Sequence, residues 1–336
     1  MAPTSLPQIS SIAWEHPADR AALNALRALP GFDEAVRKIL GFIGERGVRN
    51  LFLANAVKVG PNQRPQLDAL YSEVLETLDW PGGGAEAVAS RVGRPQLYVT
   101  QTPFVNAGAV GFDQPFIVLN SGLLSLLDRE EQRFVLAHEL GHIMSGHVTY
   151  RTIAIILLTL GLRNLPFLAG LAIMPFQLAL LEWYRKSELS ADRAGLLGVQ
   201  NPRTAASVFL KFAGGESDAD DPTSVDEFLA QAAEYETGGN AWDKVLNMLN
   251  VAFRDHPFGT VRAAELQRWV DSGAYARIVG GDYPRRGAPG DHPLGEDFVD
   301  AADYYGQQVR DTLDQVGASL RRAGDAFSDA FKGTSK

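Results

Sequence analysis

The chain has 336 residues, a net charge of −9 and no cysteine. Its length suits one large domain or two modest ones, and its 46% hydrophobic and 21% charged residues are typical of a globular protein. The acidic balance offers no basic surface, which argues against a nucleic-acid partner. The lack of cysteine excludes disulfide scaffolds, cysteine catalysis and thiolate zinc sites, and it fits a reducing compartment such as the cytoplasm.

The N-terminal part of the chain has the pattern of a helical region, which we place at residues 1–59. Its first seven residues have neither a basic start nor an apolar run, so no secretory signal is predicted there. Apolar residues at helical spacing predict a helix over Ala35–Arg46, and Gly47 is expected to end it. The same spacing predicts a further helix over Gln66–Leu78.

Three later stretches are rich in β-branched and aromatic residues. They are Gln96–Thr100, an extended segment within Pro103–Gly111, and Pro115–Asn120. Turn residues separate the last two stretches, as expected for neighbouring strands. The simplest prediction is therefore a small antiparallel sheet.

A further helix is predicted to begin at Arg129 and to end near Gly146. Asp128 and Glu131 have the spacing of a capping box, which marks the start of a helix. The apolar residues around the middle of this segment indicate that the helix is buried. This helix contains the sequence with the clearest chemical meaning.

Two histidines in this helix, His138 and His142, are four residues apart. On a helix this spacing places both imidazoles on one face, where they can bind one metal ion. Glu139 lies beside them and can act as general base toward a metal-activated water. The alternative is a pair of solvent-facing histidines, but polar groups in a buried helix are costly unless they have partners.

A catalytic zinc ion usually has three protein ligands, so a third must come from elsewhere. His147 is one residue out of register with the metzincin pattern, and we expect it to serve at the helix end as a cation or in a hydrogen bond. The better candidate is Glu188, with Asp192 one helical turn later. Asp192 is expected to accept a hydrogen bond from the distal nitrogen of His138. The alternative is a surface glutamate with an unrelated aspartate.

Together these motifs resemble metallopeptidase family forty-eight, the gluzincins that include the HtpX heat-shock protease and the CAAX prenyl protease. The resemblance runs from about residue 60 to residue 280. The matching motifs are His138-Glu139-Leu140-Gly141-His142 with His147 five residues on, Glu188-x-x-Ala191-Asp192, His256-Pro257 with Arg262, Asn106-Ala107, and Ser121-Gly122-Leu123-Leu124. The zinc motif alone is moderately specific, and the combination is much more so.

The resemblance implies one Zn²⁺ per chain, bound by His138, His142 and Glu188, with Glu139 as general base. The expected fold is mainly α (α+β): a zincin-like metalloprotease domain with a small antiparallel sheet and a helical hairpin insertion. The expected reaction is hydrolysis of internal peptide bonds in a peptide or unfolded protein, in quality control or processing. Two alternatives stay open: a catalytically silent, zinc-stabilised scaffold on a membrane, and a zinc aminopeptidase.

His256 and Arg262 are candidates for a further catalytic role. The resemblance implies that they stabilise the oxyanion of the tetrahedral intermediate. A cationic or imidazole donor aimed at that oxygen is what amide hydrolysis needs. The alternative is structural, with a helix cap near His256 and an ion pair formed by Arg262.

Val105, Asn106 and Ala107 are predicted to bind substrate. A zincin holds its peptide extended against an exposed sheet edge, and the backbone hydrogen bonds of such an edge tolerate varied sequences. The alternative is an ordinary core strand.

A very apolar stretch at 152–184 separates His142 from Glu188. If both bind one ion, the chain must leave and return on the same side, and the stretch is too short for two crossings of about 20 residues each. A helical hairpin that turns near Arg163–Pro166 fits, and it could enter a membrane or pack against the domain. Residues at its base resemble an aromatic and basic interfacial belt: Tyr150, Arg151, Trp183, Tyr184, Arg185 and Lys186.

The predicted organisation has four parts. A helical region at 1–59 precedes a catalytic domain at 60–280, which includes the hairpin. A Gly/Pro linker at 281–298 and a C-terminal amphipathic helix at 299–336 follow. We expect the protein in the cytoplasm or at the cytoplasmic face of a membrane, and the sequence makes no prediction of the oligomeric state.

Overall fold

The computed structural model describes residues 2–29, 32–80, 93–160, 173–215, 222–237 and 259–288. A short 3-10 helix at Ser11–Ala13 is followed by α-helices. They are α1 (Pro17–Arg27), α2 (Phe32–Leu53), α3 (Pro65–Thr77), α4 (Ser121–Leu126), α5 (Arg129–Met144), α6 (Val148–Leu160), α7 (Ile173–Val199), α8 (Pro202–Gly214), α9 (Val225–Thr237), α10 (Gly259–Asp271) and α11 (Ala274–Val279). The strands are β1 (Ala56–Lys58), β2 (Gln96–Thr100), β3 (Ala107–Val110) and β4 (Phe116–Asn120). The mainly helical fold with a small sheet is as predicted.

Some predicted features lie outside the described residues. They are His256, the hairpin turn near Arg163–Pro166, and the C-terminal helix at 299–336. The predicted linker is described only as far as residue 288, and that part contacts the N-terminal segment, since the backbone N–H of Arg286 donates to the carbonyl of Gln8 at 2.7 Å. The domain boundaries stay predictions.

The sheet has the strand order β1-β2-β4-β3 and is mixed. β1 pairs with β2 and β3 with β4 in antiparallel fashion, whereas β2 and β4 are parallel, with Leu97 opposite Ile117. The prediction of an antiparallel sheet is therefore wrong for the central pair. The chain leaves β2, forms the outer strand β3 first and then returns into the middle as β4, so consecutive strands are not all neighbours. β3 thus lies at one edge of the sheet.

One predicted helix boundary is wrong and another is correct. The predicted stop at Gly47 is wrong, because α2 continues to Leu53 and its break falls at Gly44, where φ is 59° and ψ is 171°. That positive φ is readily adopted only by glycine. The prediction for α5 is correct at its start, since the Asp128 side chain accepts from the N–H of Glu131 and the Glu131 side chain accepts from the N–H of Asp128.

Close packing of α5 against α7 brings the two parts of the predicted metal site together. A Cβ on Gly141 of α5 would lie 2.4 Å from Cβ of Ala194, and one on Gly198 of α7 would lie 2.1 Å from Cβ of Ala137. Real side chains do not approach this closely, so each glycine permits a contact between the helices that a larger residue would prevent. The downstream helix is thereby held directly against the histidine-bearing helix.

Residues at the base of the predicted apolar hairpin are buried inside the protein. Arg151 and Trp183 are each 0% exposed, and Tyr184 is buried as well. The interpretation of these three residues as part of an interfacial belt is therefore wrong. Within the described ranges, no helix combines the length and the apolar character that a bilayer crossing requires.

Candidate metal centre

Three side chains meet between α5 and α7. Nε2 of His138 and Nε2 of His142 lie 3.2 Å apart. Glu188 of α7 places Oε2 3.6 Å from Nε2 of His138 and Oε1 3.3 Å from Nε2 of His142. One ligand atom from each residue lies within 4.8 Å of the others, a spacing that could hold a metal ion.

The chemistry of this donor set fits zinc. Two imidazoles and one carboxylate form a known catalytic zinc set that leaves a coordination position open. All three side chains are buried. Burial and the Arg151 guanidinium hold the pKa of His142 well below its ordinary value, which favours the neutral imidazole that a metal requires.

A residue of α7 contacts the ring nitrogen of His138 that faces away from His142. This nitrogen, Nδ1, lies 3.0 Å from Oδ1 of Asp192, which is the contact that the sequence predicted. Burial alone would lower the pKa of His138, but the carboxylates of Asp192 and Glu188 outweigh burial and raise the pKa to about 9. Both carboxylates therefore attract positive charge to this position, whether a proton or a metal ion.

Arg262 of α10 contacts the same carboxylates. Its Nε donates to Oδ2 of Asp192 at 2.8 Å, its Nη2 donates to Oδ1 at 2.5 Å, and its Nη1 lies 3.4 Å from Oε2 of Glu188. The guanidinium stacks over the Phe209 ring, 5.0 Å from its centroid. In this geometry Arg262 supports the side chains of Asp192 and Glu188, and its expected contact with an oxyanion stays a prediction.

His142 is supported from the opposite side. Its Nδ1 lies 3.0 Å from Nδ1 of His147, whose Nε2 lies 3.0 Å from Oδ2 of Asp19 in α1. His147 is buried, so it forms hydrogen bonds inside the protein and does not face solvent at the helix end. Asp19 had not been singled out in the sequence.

Glu139 lies beside the predicted ligands, as its position on α5 requires. Oε1 is 4.0 Å from Nε2 of His138, and Oε2 accepts a 2.7 Å hydrogen bond from the backbone N–H of Ala109 in β3. The edge strand therefore orients one carboxylate oxygen while the other remains near the predicted metal position.

The predicted substrate residues lie where the chain enters β3. Val105 and Asn106 precede the strand and Ala107 is its first residue. Asn106 Oδ1 accepts from the backbone N–H of Ala107 at 2.9 Å. Val105 is partly exposed and its neighbour Phe104 is 75% exposed, so apolar side chains are accessible beside the edge strand.

Comparison with known proteins agrees with this geometry. Residues 84–270, more than half of the chain, match the model of Peptidase family M48. The chain belongs to this family of metallopeptidases. The family predicted from the motifs is therefore confirmed.

Relatives of this metallopeptidase match over different shares of their length. The Arabidopsis thaliana protein named plastoglobule-localized metallopeptidase 48, chloroplastic, is 34% identical over 271 residues, which cover 79% of this chain and 74% of the relative. A protease HtpX homolog of Lactobacillus helveticus is 34% identical over 88 residues, which cover 26% of this chain and 28% of the relative. One from Helicobacter pylori is 43% identical over 56 residues, or 16% and 18%. No solved structure matches.

Two residues of this metallopeptidase's site were missed in the sequence. Arg151 donates from Nη1 to Oε1 of the predicted ligand Glu188, and its guanidinium lies 4.3 Å from the centroid of the Tyr184 ring. A lone arginine in an apolar helix could have signalled a buried ion pair. Asp19 has no such signal, because only the tertiary fold brings α1 to His147.

Proposed function

We propose that this metallopeptidase is a zinc-dependent endopeptidase that cleaves internal bonds of peptides or unfolded proteins, in quality control or processing. The observation that carries the proposal is the meeting of His138, His142 and Glu188, with the Glu139 carboxylate beside them. Two imidazoles and one carboxylate are a donor set that catalytic zinc sites use. One ion per chain follows from the single set of ligands proposed.

The proposed reaction is hydrolysis with Glu139 as general base. When bound, zinc would supply the Lewis acidity that activates water and polarises the scissile carbonyl. Glu139 takes the proton from the attacking water and passes it to the leaving amine. The N–H of Ala109 fixes Oε2, which leaves Oε1 directed toward the ligands for this exchange.

The remaining side chains hold this arrangement. Asp192 accepts from Nδ1 of His138 and so keeps Nε2 free for the metal. Arg262 supports Asp192 through two hydrogen bonds, so we assign it a positioning role in place of the oxyanion contact expected from the sequence. Because both carboxylates already engage Arg262, we favour His256 for the oxyanion contact.

Substrate binding is proposed along β3. An extended peptide would add as a strand at this sheet edge, guided by Val105, Asn106 and Ala107. The exposed Phe104 beside them suits apolar side chains, which unfolded proteins present. We keep a cytoplasmic location in the proposal, on the basis of the cysteine-free composition, and association with a membrane through 152–184 as an additional hypothesis.

The variant Glu139→Gln tests the mechanism. We expect bound zinc to be retained and casein cleavage to fall by about 10²–10⁴-fold, because the amide cannot accept the proton. Glu130→Gln is the matched control on the same helix, since the Glu130 side chain is 46% exposed and should leave cleavage unchanged. Equal cleavage by wild type and Glu139→Gln would exclude the assigned base, and a wild type that holds zinc without cleaving would favour the silent scaffold.

Blocked peptides separate the two kinds of peptidase. An endopeptidase cleaves a peptide with an acetylated N-terminus as readily as the free peptide, because it recognises an internal stretch of backbone. An aminopeptidase requires the free amine. We expect cleavage of both, and cleavage of the free peptide alone would overturn the endopeptidase assignment.

A further inference from the structure

A chain of buried side chains leads from the metal-binding face of α5 to the N-terminal helix α1. Nδ1 of His142 lies 3.0 Å from Nδ1 of His147, and Nε2 of His147 lies 3.0 Å from Oδ2 of Asp19. Asp19 is 1% exposed, and burial of a carboxylate is costly unless protein donors satisfy it. Those donors include the Ser190 hydroxyl at 2.6 Å and the Trp183 indole N–H at 3.0 Å.

The direction of each hydrogen bond in this chain follows from the geometry. His142 presents Nε2 to the other ligands, so as a neutral metal ligand it carries its proton on Nδ1. That N–H must donate to Nδ1 of His147, whose own proton then lies on Nε2 and is donated to Asp19. An ionised carboxylate only accepts, so Asp19 determines the tautomer of His147 and, through it, that of His142.

We propose that α1 is part of the metal centre and that Asp19 is a positioning residue that holds His142 in its metal-binding tautomer through His147. The inference rests on the proposed metal site. A carboxylate that merely interacted with the dipole at the start of α1 would need no contact with His147. Here the Asp19 carboxylate contacts His147, which in turn contacts the proposed ligand His142. The carboxylate also accepts hydrogen bonds from side chains of α7.

The N-terminal segment is anchored so that this contact is maintained. Trp14 donates from Nε1 to the hydroxyl of Ser145, directly after α5, at 3.0 Å. His16, the N-cap of α1, donates from its backbone N–H to Ser190 of α7 at 2.9 Å. The first turn of α1, which carries Asp19, is therefore fixed to both helices that supply metal ligands.

The variant Asp19→Asn changes one acceptor into a donor at nearly constant size. Because an indole N–H can only donate, the amide oxygen is expected to stay with Trp183 and the amide nitrogen to face His147. His147 must then move its proton to Nδ1, where it opposes the N–H of His142. We expect the zinc affinity of the full chain, measured by chelator competition at one fixed pH, to fall about 10–100-fold.

The proton positions can be read directly from the histidine rings by ¹H–¹⁵N correlation spectra of the zinc-loaded protein. With six histidines in the chain, the ring signals are few enough to assign with single histidine variants. We expect the proton of His147 on Nε2 in the wild type and on Nδ1 in Asp19→Asn. A purely structural role of Asp19 would lower stability without moving this proton.

Asp68→Asn is the matched control, because Asp68 is also buried in the first turn of a helix, α3, but pairs with Arg94 rather than with the metal site. Its zinc affinity should equal that of the wild type. Unchanged affinity in Asp19→Asn, or a loss of affinity with the His147 proton still on Nε2, overturns the inference and leaves the proposed function standing.

If Asp19→Asn fails to fold, the spectrum of the wild type alone tests the proposed hydrogen-bond chain. A His147 proton on Nδ1 in the zinc-loaded wild type contradicts the proposed hydrogen-bond chain, and a proton on Nε2 supports it. A wild type that binds no zinc overturns the proposed function together with this inference, so the two failures are distinguishable.

Discussion

The two histidines of α5 that are proposed to bind the metal are supported by opposite sides of the molecule, and the two supports differ in kind. On one side, which we call the downstream side because its residues come from α7 and α10, His138 contacts Asp192, which is paired with Arg262. On the N-terminal side, His142 contacts His147, which leads to Asp19. The first support depends on the balance of buried charges, and the second on the direction of hydrogen bonds.

Mutations on the two sides should therefore affect different properties, stability on one side and metal binding on the other. A buried ion pair that loses one member leaves a charge without compensation, so the downstream side should respond to charge removal mainly through stability. A hydrogen-bond chain in which one acceptor becomes a donor, as in Asp19→Asn, should respond mainly through metal binding. The largest loss of stability is therefore expected when a buried charge around Glu188 or Asp192 is removed.

Arg151→Met tests the charge balance around Glu188. Arg151 is fully buried and donates to Oε1 of Glu188, so its loss should lower the free energy of unfolding by about 3–5 kcal/mol in the presence of a chelator. With zinc bound the loss should be smaller, because the ion then compensates the carboxylate. Urea unfolding in EDTA and in zinc measures both values.

Arg133→Met is the control for this prediction. Arg133 is also buried, but its partners Glu73 and Glu130 are half-exposed and can be hydrated when the arginine is lost. The loss should be smaller than for Arg151→Met and the same with or without zinc. If zinc does not reduce the loss in Arg151→Met, the charge balance is not linked to the metal site.

Ser190→Ala gives a smaller effect on the N-terminal side. The hydroxyl donates to Asp19 and accepts from the N–H of His16, so its loss leaves a buried N–H unsatisfied and should cost about 1–3 kcal/mol. Zinc affinity should fall less than in Asp19→Asn, because the contact between Asp19 and His147 remains.

Ser187→Ala on the same helix is the control for Ser190→Ala. Among the described residues its hydroxyl donates to the carbonyl of Tyr184 one turn earlier, a bond local to the helix, so the cost should be smaller. A loss of zinc affinity in Ser190→Ala as large as that in Asp19→Asn would contradict the special role of the carboxylate.

The sequence was most informative where the relevant contacts are local. The capping box at Asp128 and Glu131, the pair His138 and His142, and the position of Asp192 one turn after Glu188 all follow from helical spacing. Each of these relationships spans a single turn of helix. The start of the histidine-bearing helix and the placement of His138 and His142 on one face could therefore be predicted.

Non-local relationships could not be predicted in this way. The parallel pairing of β2 with β4 depends on where the chain places β3, and β1 is too short for an alternating pattern to be visible. Hydropathy cannot distinguish a protein interior from lipid, which is why Arg151 was assigned to an interfacial belt. Asp19 reaches the site only through tertiary packing.

X-ray absorption at the zinc K-edge on the purified full chain tests the proposed metal centre most directly. We predict a shell with two imidazole nitrogens at about 2.0–2.1 Å and a carboxylate oxygen at about 2.0–2.2 Å. The histidine signature should disappear in the double variant His138→Ala/His142→Ala. A zinc shell that keeps two histidines in this double variant, or a wild-type protein that takes up no zinc, would contradict the assignment of His138, His142 and Glu188 as ligands.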